Sequence, residues 1–170
     1  MKIIKTIQDV DIGSEIPAPS NFVERSASRA VVFDKDKNVA LFHSTQKHYH
    51  KLPGGGVDEG EDLETTLRRE LLEEIGCNVE NIRELAIIEE YRNKFEIHQF
   101  SHCFIAELSG EKGTPNLEEG ELLEGFVTEW MDLDSAIKIL EGESEVEDYQ
   151  GKFIQMRDLA FLKEAKKVIG

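Results

Sequence analysis

Between Asp62 and Gly76, four aliphatic residues, Leu63, Leu67, Leu71 and Ile75, recur at every fourth position. That period marks one buried face of a helix, with Asp62 placed to cap its start and Gly76 to stop it. The acidic residues of the same stretch break the usual amphipathic rule. At about 100° per residue, Glu70, Glu73 and Glu74 fall within roughly a 100° arc, because spacings of three and four are neighbours on a helix. Glu74 lies angularly between Leu63 and Leu67, inside the apolar stripe rather than opposite it. A plain surface helix would relieve such crowding with interleaved lysines. A chain carrying this helix has to fold so that three carboxylates gather at the rim of a buried face.

The segments around the helix predict what it packs against. Ala30-Val31-Val32-Phe33 and Val39-Ala40-Leu41-Phe42 flank the polar cluster Asp34 to Asn38 and predict a β-hairpin. Leu85 to Glu90, Phe95 to Leu108 and Phe126 to Met131 predict further strands, the second with His98, Phe100, His102, Phe104 and Ala106 on one face. Asp134 to Leu140 and Lys152 to Ile169 have helical spacing, the latter through Ile154, Leu159, Leu162, Ala165 and Val168. Strands, helix, strands, then helices favour an α/β fold with a mixed sheet covered by helices. Residues 1 to 25, with Pro17 and Pro19, read as a strand-bearing leader packed on a domain spanning 26 to 170. The Glu-rich windows at 118 to 124 and 141 to 148 read as solvated loops.

A chain of 170 residues suits one domain with a core large enough to need no disulfide or structural metal. No apolar run approaches the roughly 20 residues that cross a bilayer, so no membrane span is expected. Lys and Arg number 20 against 35 Asp and Glu, a net charge of −15, which opposes binding to duplex nucleic acid through its backbone. A phosphorylated ligand would need cations as intermediaries. Two cysteines without a CxxC spacing, Cys77 and Cys103, and an N-terminus lacking the apolar segment of a secretory signal lead to the expectation of a reducing, cytoplasmic location.

Clustered hard oxygen donors are what Mg²⁺ or Mn²⁺ requires, and the bound ions would turn an anionic site into one that attracts phosphate. The glycine triplet Gly54-Gly55-Gly56 just before the helix would let backbone approach closely. The whole segment follows the spacing G-x5-E-x7-R-E-U-x-E-E-x-G-U, with U aliphatic, through Gly55, Glu61, Arg69, Glu70, Leu71, Glu73, Glu74, Gly76 and Cys77. This is the Nudix box, with Cys77 standing at the last aliphatic place, and the chain resembles the MutT-like Nudix hydrolase family. Weaker likeness extends over about residues 29 to 140, through the hairpin, Leu52-Pro53-Gly54-Gly55-Gly56 and Glu129-Trp130-Met131-Asp132-Leu133.

The resemblance implies an α/β/α sandwich in which the box forms a loop, helix and loop. It implies hydrolysis of a nucleotide or nucleoside diphosphate linked to another group. Carried over by position, Glu70, Glu73 and Glu74 are the implied ligands of Mg²⁺ or Mn²⁺, Glu70 also the candidate base, Arg69 a clamp on Glu61, and Gly55 a site residue. The family also implies a further ligand from the Glu118 to Glu124 region, where Glu121 and Glu119 rank above Glu118 and Glu124. His98, His102 and Cys103 read as sheet packing rather than a zinc cluster, and His43, His48 and His50 as loop residues beside the glycines. Neither a proline about fifteen residues past the box, frequent in ADP-ribose hydrolases, nor a coenzyme A motif is present, which favours a nucleoside triphosphate or modified nucleotide. The alternatives are a non-catalytic Nudix-fold nucleotide-binding or sensor module and an acidic interaction protein. The oligomeric state stays open, a homodimer included.

Overall fold

The computed structural model describes residues 1–143 and 146–170. In chain order its elements are β1 (Ile3–Ile7), β2 (Val23–Phe33), β3 (Asn38–Ser44), β4 (Tyr49–Lys51), β5 (Gly54–Gly56), α1 (Leu63–Ile75), β6 (Asn78–Arg92), β7 (Ile97–Ser109), α2 (Glu119–Leu123), β8 (Phe126–Asp132), α3 (Leu133–Gly142) and α4 (Tyr149–Ile169). The sheet runs β1-β6-β7-β2-β3-β4, with β5 added to β2 and β8 to β3. It is mixed: β1 and β6 are parallel, β2 and β7 are parallel over eleven residues, and the remaining pairs are antiparallel.

Strand alternation divides the interior into two cores. Ala30, Val32 and Ala40 face α1 through Leu67, Leu71 and Ile75. Val31, Phe33, Val39 and Leu41 point the other way, onto Ala136, Ile137 and Leu140 of α3 and Phe153, Phe161 and Leu162 of α4. The result is the expected three-layer α/β/α sandwich. No helix of the described residues is long and apolar enough to cross a membrane. Cys77 and Cys103 are both free and buried.

Several expectations shift in detail. The hairpin forms, but β2 and β3 pair only at Phe33 and Val39, because β2 spends its other edge on β5. β2 begins at Val23, within the segment read as a leader, and β1 in that segment joins the sheet beside β6. β6 reaches back to Asn78, its polar early residues hidden from pattern reading by two register shifts. The Glu118 to Glu124 window is not a loop: α2 forms there, the Glu118 backbone N–H donating to the Glu121 carboxylate at 3.0 Å. In the 141 to 148 window, α3 runs to Gly142 and Asp148 caps α4 through the Gly151 N–H, while residues 144–145 lie outside the described residues.

α4 departs furthest from its expected stripe. Val168 is exposed, and Arg157 and Asp158 are fully buried. Arg157 donates to Asp158 at 2.6 and 3.0 Å and lies 3.7 Å from Glu90, whose carboxylate also accepts from Arg92, Gln99 and Ser101. Despite the burial that works against it, the Arg157 and Arg92 charges hold the Glu90 carboxyl down at about 2. Asp158 also accepts from the Leu52 N–H at 2.8 Å. Asp158→Ala is therefore expected to cost about 3–5 kcal/mol, because it strands a buried guanidinium and a backbone donor. The check is a thermal melt, in which the variant should unfold roughly 10 °C below the parent.

Candidate active site

α1 starts where the Asp62 carboxylate accepts the Thr65 N–H at 2.7 Å and stops at Gly76, whose φ is 65°. A Cβ at Gly76 would stand 2.7 Å from the backbone of Gly113 and Thr114, so glycine is required there twice over. The segment it admits satisfies the helix end: Gly113 donates to the Gly76 carbonyl and Asn116 to the Glu73 carbonyl. Loop, helix and loop thus form one hydrogen-bonded unit from Gly55 to Cys77.

The unit brings Glu70, Glu73 and Glu74 together at graded depth. Glu74 is 2% exposed, while the side chains of Glu70 and Glu73 are 15% and 33% exposed. Glu74 accepts from the Gly54 N–H at 2.6 Å and from Lys51 Nζ at 2.7 Å. A Cβ at Gly55 would collide with the Glu70 carboxyl, so the absent side chain makes room for that group beside backbone. Burial, reinforced by the charge of Glu74, pushes the Glu70 carboxyl above the ordinary range, with Arg69 and Lys51 pulling the other way. Burial likewise raises Glu74 against Lys51 and the Gly54 N–H, and Glu121 is close enough to add to the rise.

Arg69 is the fork on which the acidic face turns. Its Nε and Nη2 hold both oxygens of Glu61 at 2.9 Å, and its Nη1 reaches Glu70 at 2.9 Å and Glu73 at 3.2 Å. Glu61, which also accepts from Thr66, is held at about 2. Arg68 points elsewhere, to Glu64 and the Val79 carbonyl. The three carboxylates are an all-oxygen set facing two side-chain cations, which is donor chemistry that fits Mg²⁺ or Mn²⁺.

Glu121 is half-buried on α2, where its carboxylate caps the helix, whereas Glu119 is exposed. His98 pairs with Glu89 at 2.8 Å and stacks on Tyr91, while Cys103 is buried on the opposite face, so His98 and Cys103 do not converge. His43 and His50 are not loop residues but lie opposite each other on β3 and β4. Sequence reasoning missed Lys51 and also Arg29, which donates to the Gly54 carbonyl at 2.7 Å. Beyond Ile75 a groove of about 500 Å³ runs between Lys112, Pro115, Leu117, Phe126 and Trp130.

A NUDIX domain profile matches residues 23–155. The CMP-5'-(N-acetyl-N-hydroxy-3-aminopropyl)phosphonate hydrolase of Streptomyces rubellomurinus is 26% identical over 140 residues, 79% of this chain and 65% of that protein. The RNA pyrophosphohydrolase of Pseudoalteromonas atlantica is 42% identical over 45 residues, 26% of each chain. The chain therefore spans between about a quarter and two-thirds of the length of these curated relatives. Among solved structures, an ADP-ribose pyrophosphatase from Streptococcus suis aligns with a TM-score of 0.53 at 25% identity, over 84% of this chain and 92% of that one. A MutT NUDIX hydrolase from Burkholderia pseudomallei aligns with a TM-score of 0.53 at 23% identity, over 66% and 85%, and speaks for the fold. A profile covering most of the chain, on a box that folds as one unit, leaves one assignment: the chain belongs to the Nudix family.

Proposed function

We propose that this chain is a divalent-cation-dependent hydrolase of the diphosphate linkage in a nucleotide or nucleoside diphosphate derivative. The observation that carries the reading is the convergence of Glu70, Glu73 and Glu74 on one face of α1 with Glu74 buried against Gly54. A surface helix has no reason to bury one carboxylate and crowd two more beside it. The names of the relatives, which include hydrolases of a CMP-phosphonate and of ADP-ribose, support a nucleotide-linked substrate. Two buried, unpaired cysteines support a reducing, cytoplasmic location.

Glu70, Glu73 and Glu74 would hold Mg²⁺ or Mn²⁺, with Gly55 bringing backbone close and Glu121 on α2 as a further ligand. The bound cation supplies a water of lowered pKa and charge to offset the diphosphate. The remaining work falls to the chain. Glu70 accepts the water proton as its oxygen bonds to phosphorus and the bond to the leaving oxygen breaks. Arg69 keeps the carboxylates aligned by holding Glu61. The groove ending at Trp130 is within the size range that takes a small organic group, here the nucleoside or the group linked to it.

Arg69→Ala is expected to lower kcat/KM by about tenfold or more, and Arg68→Ala by far less, since Arg68 touches none of the three carboxylates. Kinetics on both variants, with melts alongside, give the comparison. The reading itself is tested with nucleoside triphosphates, ADP-ribose, dinucleoside polyphosphates and NADH in ¹⁸O-water. Label in a phosphate-containing product is the expected result. Nucleotide binding without metal and without hydrolysis of any compound would instead make the chain a binding or sensor module.

A further inference from the structure

On the sheet face opposite α1, a second cluster of donors is built from three strands. His43 stands two residues from Leu41 on β3, which packs on the α3–α4 side, and His50 is its register partner on β4. Glu129 on β8 pairs with Leu41 and lies two residues from Met131, which packs against the same core. All three side chains therefore meet on one face. His43 Nδ1 is 2.8 Å from one Glu129 oxygen and His50 Nε2 is 3.3 Å from the other. The two rings lie 3.9 Å apart and 15° from parallel, so their nitrogens face one carboxylate side by side. From the end of α3, Glu143 contacts His50 Nδ1 through one oxygen.

These groups do not satisfy one another as they stand. A neutral imidazole donates from one nitrogen only, yet both nitrogens of His50 face carboxylates. The second Glu143 oxygen is buried with no partner among the described residues, on a side chain only 10% exposed. The cluster demands positive charge, and it can receive it as protons or as a metal ion.

We propose that His43, His50 and Glu129 form a second metal site, for a borderline transition ion of the Zn²⁺ or Co²⁺ type, with Glu143 orienting His50 from behind. Three donor atoms, one from each residue, lie within 4.8 Å of one another. A tetrahedral ion with bonds of about 2.0–2.2 Å holds its donors about 3.4 Å apart, so binding needs side-chain rotations that draw in the widest pair and open the 2.8 Å His43–Glu129 contact. Two imidazoles and one carboxylate are the donor set of zinc-type ions rather than of Mg²⁺, which keeps to oxygen. A carboxylate on Nδ1 fixes the tautomer that leaves Nε2 free to ligate, the usual arrangement behind a metal-binding histidine. Glu129 and His43 are 36% and 24% exposed at the side chain, which leaves an entry path and an open coordination position. The site is distinct from the all-oxygen face of α1. An ion there ties the three-residue β4 to β3 and β8, and β4 ends in Lys51, the partner of Glu74.

The test is titration of the full chain with Co²⁺ and with Zn²⁺ in excess Mg²⁺, which keeps the carboxylates of α1 occupied. One equivalent of Co²⁺ is expected to bind with visible bands of a nitrogen- and oxygen-ligated ion. His50→Gln and His43→Asn should each weaken binding by about a hundredfold, and Glu143→Gln by about tenfold. Glu70→Gln with Glu73→Gln should leave it unchanged. Imidazole NMR of the unaltered chain keeps the test independent of variants that fail to fold: Zn²⁺ should shift two of the five histidine rings, those of His43 and His50. The proposal is overturned if Zn²⁺ moves neither ring, if Co²⁺ fails to saturate, or if the bands disappear in Glu70→Gln with Glu73→Gln. In the first two cases protons alone balance the cluster.

Discussion

Glu74→Gln is expected to lower turnover by about a hundredfold or more, because charge placed where a phosphoryl group reacts is the largest single contribution to such chemistry. Its environment makes the experiment more demanding than the number suggests. The amide can still accept from the Gly54 N–H, but it leaves Lys51, whose side chain is 14% exposed, without its carboxylate. A fall of about 1–3 kcal/mol in stability should accompany the kinetic loss. Glu73→Gln separates the two effects. Its carboxylate is 33% exposed and touches Arg69 at 3.2 Å, so turnover should fall comparably while the melting temperature barely moves. Steady-state kinetics well below both melting temperatures provide the measurement. Parent-like turnover by Glu74→Gln, with the parent's metal dependence, would remove Glu74 from the ligand set.

Removal of divalent cations is expected to bring hydrolysis to the rate of the substrate in buffer, and Mg²⁺ or Mn²⁺ to restore it. The chain carries a net −15, and the only cations held against the three carboxylates among the described residues are Lys51 and Arg69. A bare polyphosphate approaching that face meets repulsion, and a bound divalent ion reverses the local field. Substrate affinity should therefore collapse together with turnover. Calorimetry with a non-hydrolysable nucleotide, with and without chelator, reads the binding arm. Turnover that persists through exhaustive chelation would refute the proposed metal dependence.

How much of this was legible in the residues varies with what each depends on. α1 runs from Leu63 to Ile75 as its cap, period and stopping glycine indicate, because all three signals are local. The burial of Glu74 was legible for the same reason, as its angular position lay inside the apolar stripe. Arg157 and Asp158 obey the same rule on α4, one turn beyond Phe153 and Ile154, but the expected stripe passed over them in favour of Leu159 and Val168. Lys51, His43 and His50 were beyond such reading. Their partners are set by strand register and by the packing of distant elements, and neither is written in a single segment. α2 escaped because Glu118 and Glu121 are weak helix-start signals unless their side chains turn back onto the backbone.

The Leu52 to Gly54 bend is gripped from three sides: by Asp158 at the Leu52 N–H, by Arg29 at the Gly54 carbonyl and by Glu74 at the Gly54 N–H. Two of these holders are made by the time α1 has been synthesised, and the third belongs to the last helix of the described chain. Until that helix is in place the bend is unfinished, and Arg29, Glu90 and the apolar sheet face that Phe153, Phe161 and Leu162 cover stay open to water. The arrival of Asp158 and Arg157 closes the charged interior and fixes the backbone against Glu74 in the same event. A chain ending before residue 157 should therefore lose the hold on the Leu52 N–H and the cover of one sheet face together, so the last helix ties the stability of the sheet to the setting of the backbone beside Glu74.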